Sequence, residues 1–184
     1  MAKGYPELAG QPAEAFTQAL APLRDRAPDD EFVLVVKSKL APAAETIGRV
    51  ERRGKAGLSV LERDDLGRFT EIDGVELPAG GAYLLTGIDT GADTLNVTPD
   101  DALETIVAAG RSPLTIDEGV ALVTHDPEAV AKNGGFSLLA SRCGDRRVTA
   151  LWISDNRPKL GWCWAGNPHT WLGSASAAGR ATAG

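Results

Sequence analysis

Cysteine is nearly absent from this chain, with Cys143 and Cys163 its two thiols. Two are too few for the disulfide framework of small secreted domains, and they fit reduced thiols in a cytosol. Histidine is equally scarce: His125 and His169 are the whole complement. No Cys-x-x-Cys or His-x-x-x-His spacing occurs, so the four soft ligands give no metal site, and no cofactor is expected. Long apolar runs are missing as well. The longest, around Phe32 to Val36, falls far short of the roughly 18 residues that a spanning helix needs. Met1-Ala2-Lys3-Gly4-Tyr5-Pro6 lacks the apolar core of a secretory signal. The expectation is a cytoplasmic protein that engages no membrane.

What is present suits an ordinary globule: 184 residues, 43% hydrophobic and 24% charged, with a net charge of -6. A domain of about 150 residues buries roughly 70% of its unfolded surface and needs no staples. No linker long enough to divide it appears, so residues 1–184 read as one domain, with about 1–6 and 178–184 flexible. Charge is unevenly spread. From Arg142 onward there are six basic residues (Arg142, Arg146, Arg147, Arg157, Lys159 and Arg180) against Asp145 and Asp155. All four tryptophans, Trp152, Trp162, Trp164 and Trp171, share that stretch. An anion-seeking surface is expected there.

Along the chain, residues 12–21 carry Phe16 and Leu20 on one side of a short amphipathic helix that would pack as a lid. Glu31 to Lys37 is rich in β-branched residues and reads as a buried strand. A helix is expected from Ala43 to Arg53, ended by Gly54, then a strand at Leu58 to Leu61. A helical patch at Asp64 to Phe69 and a strand at Ala82 to Ile88 follow. Thr98-Pro99-Asp100-Asp101 is a strong helix start, with a Thr cap, proline in the first turn and acids facing the positive helix end. That helix stops at Gly110. Another opens around Thr115, Asp117 and Glu118 and runs toward Pro127, with a last short helix to Lys132. The pair resembles a helix-turn-helix in spacing, but Asp117 and Glu118 on the second helix oppose placement against phosphates. With the net charge of -6 this makes nucleic acid an unfavoured partner.

Beyond Asn133-Gly134-Gly135 the apolar period changes to two. Phe136 to Arg142, Arg147 to Ser154 and Leu160 to Ala165 read as a β-meander. On the last of these Leu160, Trp162 and Trp164 share one face, and Gly161, Cys163 and Ala165 the other. A Gly/Ala/Ser-rich tail follows Asn167-Pro168. The fold expected is α+β, with N-terminal helices and short strands packed against a C-terminal antiparallel meander.

The segment Ser-Arg-Cys-Gly-Asp-Arg-Arg-Val-Thr-Ala-Leu-Trp-Ile-Ser (Ser141 to Ser154) resembles the signature of an actinobacterial family classed as a domain of unknown function. So does Gly-Trp-Cys-Trp-Ala-Gly-Asn-Pro-His-Thr-Trp-Leu-Gly-Ser-Ala-Ser (Gly161 to Ser176). The resemblance extends to Thr94 to Asp100, Gly110 to Thr115 and the Phe32 to Val36 strand, covering most of the chain. It implies a compact bacterial domain and brings no assigned activity, cofactor or catalytic residue.

Three catalytic candidates stand out. Ile88-Asp89-Thr90-Gly91 looks like the active-site turn of retroviral-type aspartic peptidases, where paired aspartates share a proton. Asp89 and Gly91 equally suit a plain turn, and the capped helix at Pro99 conflicts with an all-β peptidase. Cys143, set among Arg142, Arg146 and Arg147, is the best nucleophile candidate, since cations stabilise a thiolate, and His169 is the base to pair with it. The serines of Gly173-Ser174-Ala175-Ser176 lack a nucleophile elbow. Gly48 and Gly54-Lys55 miss a phosphate loop, with five residues between the glycines and Ala56 where a hydroxyl should bind magnesium.

The remaining constellation is basic and aromatic: Arg142, Arg146 and Arg147 at one hairpin, then Trp162, Trp164, Asn167, His169 and Trp171. Guanidinium forks suit carboxylate or phosphate, and indole faces suit a flat or cationic group. The competing reading is that the tryptophans are core and the arginines solvated. The favoured function is a non-enzymatic binding module for an anionic small molecule, peptide or protein partner. The alternative is a small hydrolase or transferase using Cys143 or His169, or an aspartate site at Asp89. Nothing in the residues speaks to oligomeric state.

Overall fold

The period-two pattern is realised as three eight-residue antiparallel strands, Gly135–Arg142, Arg147–Ser154 and Arg157–Trp164. The computed structural model describes residues 3–29 and 31–182, and its architecture is α+β. The second hairpin is tighter than the five-residue connection expected. Asp155 and Asn156 turn it alone, at φ 55° and 62°, left-handed values that match the strand twist and that Asp and Asn tolerate. Pro158 thereby falls within the strand, opposite Ile153. Leu172–Ser174 runs parallel beside Gly135–Arg142, and Leu58–Ser59 runs parallel beside Arg157–Trp164. Thr70–Glu71 pairs with the far end of Gly135–Arg142.

A second, antiparallel sheet holds Phe32–Val36 and Gly179–Ala181 on either side of Ala82–Thr86. Within the C-terminal segment, Gly179–Ala181 is a strand, and residues 183–184, part of the stretch expected to be flexible, lie outside the described ones. At the other end, residues 1–2 lie outside them, and Tyr5 opens the helix Tyr5–Leu8. The tail ties the two sheets together. Its Leu172–Ser174 strand joins the large sheet, Ser176–Ala177 pairs with Ser112–Pro113, and Gly179–Ala181 joins the small one. The small residues make this route possible. A Cβ on Gly91 or on Gly173 would overlap the other segment's backbone, so glycine at both is what lets the Asp89-Thr90-Gly91 turn lie against the tail.

Between the sheets runs the helix Ile116–His125, seven of whose ten residues are buried. A helix apolar around most of its circumference belongs in a core. Its start is fixed by a reciprocal cap: the Glu118 carboxylate accepts the Thr115 N–H at 2.8 Å, and Thr115 Oγ1 accepts the Glu118 N–H at 3.3 Å. Gly119 faces Leu138 so closely that a Cβ would overlap it. Glu118 is fully buried. Its carboxylate also accepts Tyr83 Oη–H at 2.8 Å and a two-pronged contact from Arg180, at 2.5 Å from Nε and 2.9 Å from Nη2.

Three local expectations are corrected. Instead of one helix from Ala43 to Arg53, the chain forms Ala43–Thr46, a 3₁₀ turn at Ile47–Arg49 and a small hairpin of Glu51–Arg52 with Lys55–Ala56. Gly48 and β-branched Ile47 and Val50 weaken helix there, and Arg53 and Gly54 turn left-handed at φ 51° and 76°. The stretch to Lys132 is a set of turns, with Asp126 Oδ1 accepting the Glu128 N–H at 2.9 Å. The amphipathic helix spans Ala13–Arg24 and runs through Pro22, at the cost of one backbone hydrogen bond. By contrast Pro99–Ala108 begins as expected, with Thr98 Oγ1 accepting the Asp101 N–H.

Candidate functional site

Alternation along Arg157–Trp164 places Leu160, Trp162 and Trp164 on one face, but the three do not share a fate. Leu160 is fully buried opposite Leu151, whereas Trp162 is 37% and Trp164 46% exposed. The strand carries its apolar face past the end of the core. There the two indoles meet edge to face, with ring centroids 4.8 Å apart. On the opposite face Gly161 leaves room for the Trp152 ring, which a Cβ would overlap. Cys163 turns toward the cluster of Ala102, Ile106 and Leu139, where its sulfur lies 3.6 Å from Ser137 Oγ. Burial pushes this thiol up from its ordinary value.

A cleft of about 190 Å³ opens among these side chains and those of Asn167, His169 and Trp171. The His169 ring lies 5.4 Å from that of Trp171, tilted by 56°. Its Nε2 is buried with no hydrogen-bond partner among the described residues. An orphaned buried nitrogen of this kind is uncommon.

The arginines divide. Arg142 pairs with Asp100 at 3.4 Å, and Arg147 with Asp145 at 2.9 Å and Asp65 at 3.8 Å. Arg147 also lies over the Phe69 and Trp162 rings, at 5.6 and 5.9 Å. Arg146 is exposed and has no carboxylate within ion-pair range among the described residues. Its guanidinium rests where a side chain on Gly166 would stand, beside Asn167 of the cleft. Of the eight binding residues expected from sequence, five line the cleft, Arg146 rests against Gly166, and Arg142 and Arg147 are held in ion pairs.

The catalytic candidates are placed differently. The Cys143 thiol donates to Asp145 Oδ1 at 3.2 Å within the hairpin turn; among the described residues no hydrogen bond joins it to His169. The Asp89 carboxylate accepts the Gly91 N–H at 2.7 Å, while its backbone bridges Ser176. That is the turn role, and a 3₁₀ turn and the Pro99–Ala108 helix follow it. His125 ends the central helix, remote in sequence and element from the thiols. Among the described residues no three metal-ligating side chains cluster.

One cavity of mixed polar and apolar lining had no signal in the sequence. About 370 Å³ in volume, it is lined by Ser38, Glu71, Thr115, Asp117 and Ser141 among others. Asp117 accepts the Ser38 N–H at 2.8 Å and the Ser38 hydroxyl. Burial pushes its carboxyl above the usual range, and the Ser38 bonds partly offset this. Ser38 and Asp117 are joined only by tertiary structure, so neither spacing nor motif reveals them.

Comparison with curated proteins and with solved structures gives no match. No helix among the described residues is long and apolar enough to cross a membrane. The match that does exist spans the fold and the indole cleft alike: residues 1–183 fit a single family model, and the chain belongs to the family of unknown function DUF5701.

Proposed function

We propose that this protein is a binding module whose indole cleft receives one flat or apolar side chain of an anionic peptide or protein partner. The observation that carries the reading is the exposure of Trp162 and Trp164 on a strand face that elsewhere is core. Exposed paired indoles beside an unpaired arginine are the residue types that dominate binding hot spots. At about 190 Å³ the cleft is smaller than the roughly 300–1,000 Å³ of sites that enclose whole small molecules. It suits an anchoring side chain better than a free metabolite. With Arg142 and Arg147 neutralised, Arg146 is the cation left for an acidic neighbour of that anchor.

The test is a peptide array sampling aromatic residues next to Asp or Glu, read by tryptophan fluorescence as the best peptides are titrated in. Trp164→Ala and Arg146→Ala should each weaken binding by about tenfold, in line with loss of a contact worth about 1.4 kcal/mol. Unchanged affinity in both variants overturns the reading.

A further inference from the structure

The Phe32–Val36 strand is an edge of its three-stranded sheet, with Ala82–Thr86 on its inner side. Lys37 N–H donates to Gly81 O at 2.9 Å, continuing the register in which Val36 lies opposite Ala82. Hydrogen-bonded positions in an antiparallel ladder recur at every second residue. Val33, Val35 and Lys37 therefore bond inward, and the backbone N–H and C=O groups of Leu34 and Val36 point to the open edge. Among the described residues these groups meet no partner outside the strand.

Proteins ordinarily defend such an edge with lysine, proline or a bulge. Phe-Val-Leu-Val-Val contains none of these. It is recessed instead. Phe16 lies on a helix packed against the Val36 and Ala82 side of the strand, and Ala121 belongs to the central helix, packed with Val33 and Val35 on the other side. One cavity of about 450 Å³ is lined by Phe16, Ala121, Leu34 and Val36 together. To touch helices on opposite faces of one strand it must pass around the open edge. Its lining is mainly apolar, Leu34 is 39% exposed, and Lys3, with no ion-pair partner among the described residues, also borders it.

The geometry points to strand addition at this groove: an extended peptide segment takes the open edge of Phe32–Val36. Its backbone exchanges hydrogen bonds with Leu34 and Val36, one apolar side chain enters the cavity, and a carboxylate faces Lys3. A hydrocarbon chain would fill the apolar space but leave the edge amides unpaired. Only another backbone supplies donors and acceptors at strand spacing. This site is separate from the indole cleft, and neither reading depends on the other.

The test screens the full chain against a bead-bound library of fully randomised hexapeptides with free carboxyl termini. Leu34→Pro removes an outward N–H while sparing the ladder to Ala82–Thr86, a substitution edge strands tolerate. Selected peptides should alternate apolar and polar residues and bind Leu34→Pro about tenfold more weakly. They should also slow hydrogen exchange at the Leu34 and Val36 amides. Should Leu34→Pro fail to fold, N-methylated versions of a selected peptide replace it, with methylation on alternate amides abolishing and sparing binding in turn. No peptide preferring the intact edge, or binding without protection of Leu34 and Val36, overturns the proposal. So does protection that rises with protein concentration alone, which would give the edge to a second copy. Selected peptides should bind the Trp164→Ala/Arg146→Ala protein undiminished.

Discussion

Arg180 and Arg146 come from the same basic quarter of the sequence and end in opposite surroundings. Arg180 is drawn between the two sheets, where it grips the fully buried Glu118 with two bonds and donates to Ser112 Oγ at 2.6 Å and Pro113 O at 3.1 Å. Arg146 stands in solvent against Gly166, next in sequence to Asn167 of the indole cleft, whose His169 carries an orphaned ring nitrogen. At the first place the polar groups converge on one another and hold the fold together. At the second they are left over. A buried polar group that is fully paired needs no ligand, whereas unpaired groups beside exposed indoles have capacity to spare.

Breaking the first region should have the largest effect. Arg180→Ala would strand the Glu118 carboxylate in the core without its cation, a change that costs about 3–5 kcal/mol for buried pairs. Denaturant unfolding should show this loss, and it should also free the Gly179–Ala181 strand to exchange. A double-mutant cycle adding Glu118→Gln should recover part of it, because the uncompensated charge then disappears. Arg146→Ala, by comparison, should leave the midpoint unchanged.

The sequence made one of these regions legible and hid the other. Trp162 and Trp164 were readable as sharing a strand face with Leu160 because the two-residue period is local. The Thr98 cap and the Thr115 to Glu118 helix start were readable for the same reason. What no local pattern states is where the core stops beneath a strand, so indole exposure had to come from the fold. Arg142 and Arg147 sit in a visible basic cluster, and Asp145, the short partner of Arg147, is local, yet Asp100 on Arg142 and Asp65 on Arg147 come from distant segments. The strands of the tail carry no local signal. Gly, Ala and Ser have poor strand preference, and residues 172–181 are ordered by the strands and turns they fit between. The pairing of Ser38 with Asp117 was invisible for the same tertiary reason.

A sharper test of the packed region is Gly119→Ala. The new methyl would meet the Leu138 side chain between helix and sheet, and overpacking of this kind costs about 1–3 kcal/mol. Helix propensity pulls the other way by about 1 kcal/mol, so the net loss should fall toward the low end. Pairing it with Leu138→Ala should relieve the clash and show a favourable coupling energy.

Asp117 lies next in the chain to Glu118 but faces a cavity, and its effect should be smaller and pH-dependent. Burial, the largest influence, raises its carboxyl above the ordinary 3.8. The folded state then holds that proton more tightly than the unfolded chain does. Stability contributed by the protonated form is therefore lost as pH rises from about the ordinary value through the raised one. In urea unfolding across mildly acidic pH this is a downward contribution, set against the upward one from Glu128, Asp145 and Asp155, whose carboxyls are lowered. Asp117→Asn, which cannot ionise, should remove the downward contribution.

A modest expected change in stability carries the most weight for function. Trp164 is nearly half exposed, and its main ring contact is Trp162, itself exposed. Trp164→Ala should therefore lower stability by about 0.5–1.5 kcal/mol, the worth of an edge-to-face ring pair, while weakening peptide capture. Truncating a tryptophan that belongs to a core costs about 3–5 kcal/mol, so the two roles differ by an amount easily measured. A large loss of stability would make the indole pair part of the packed interior and place it with Glu118 and Arg180. A small loss together with lost binding would make it a surface kept open for a partner.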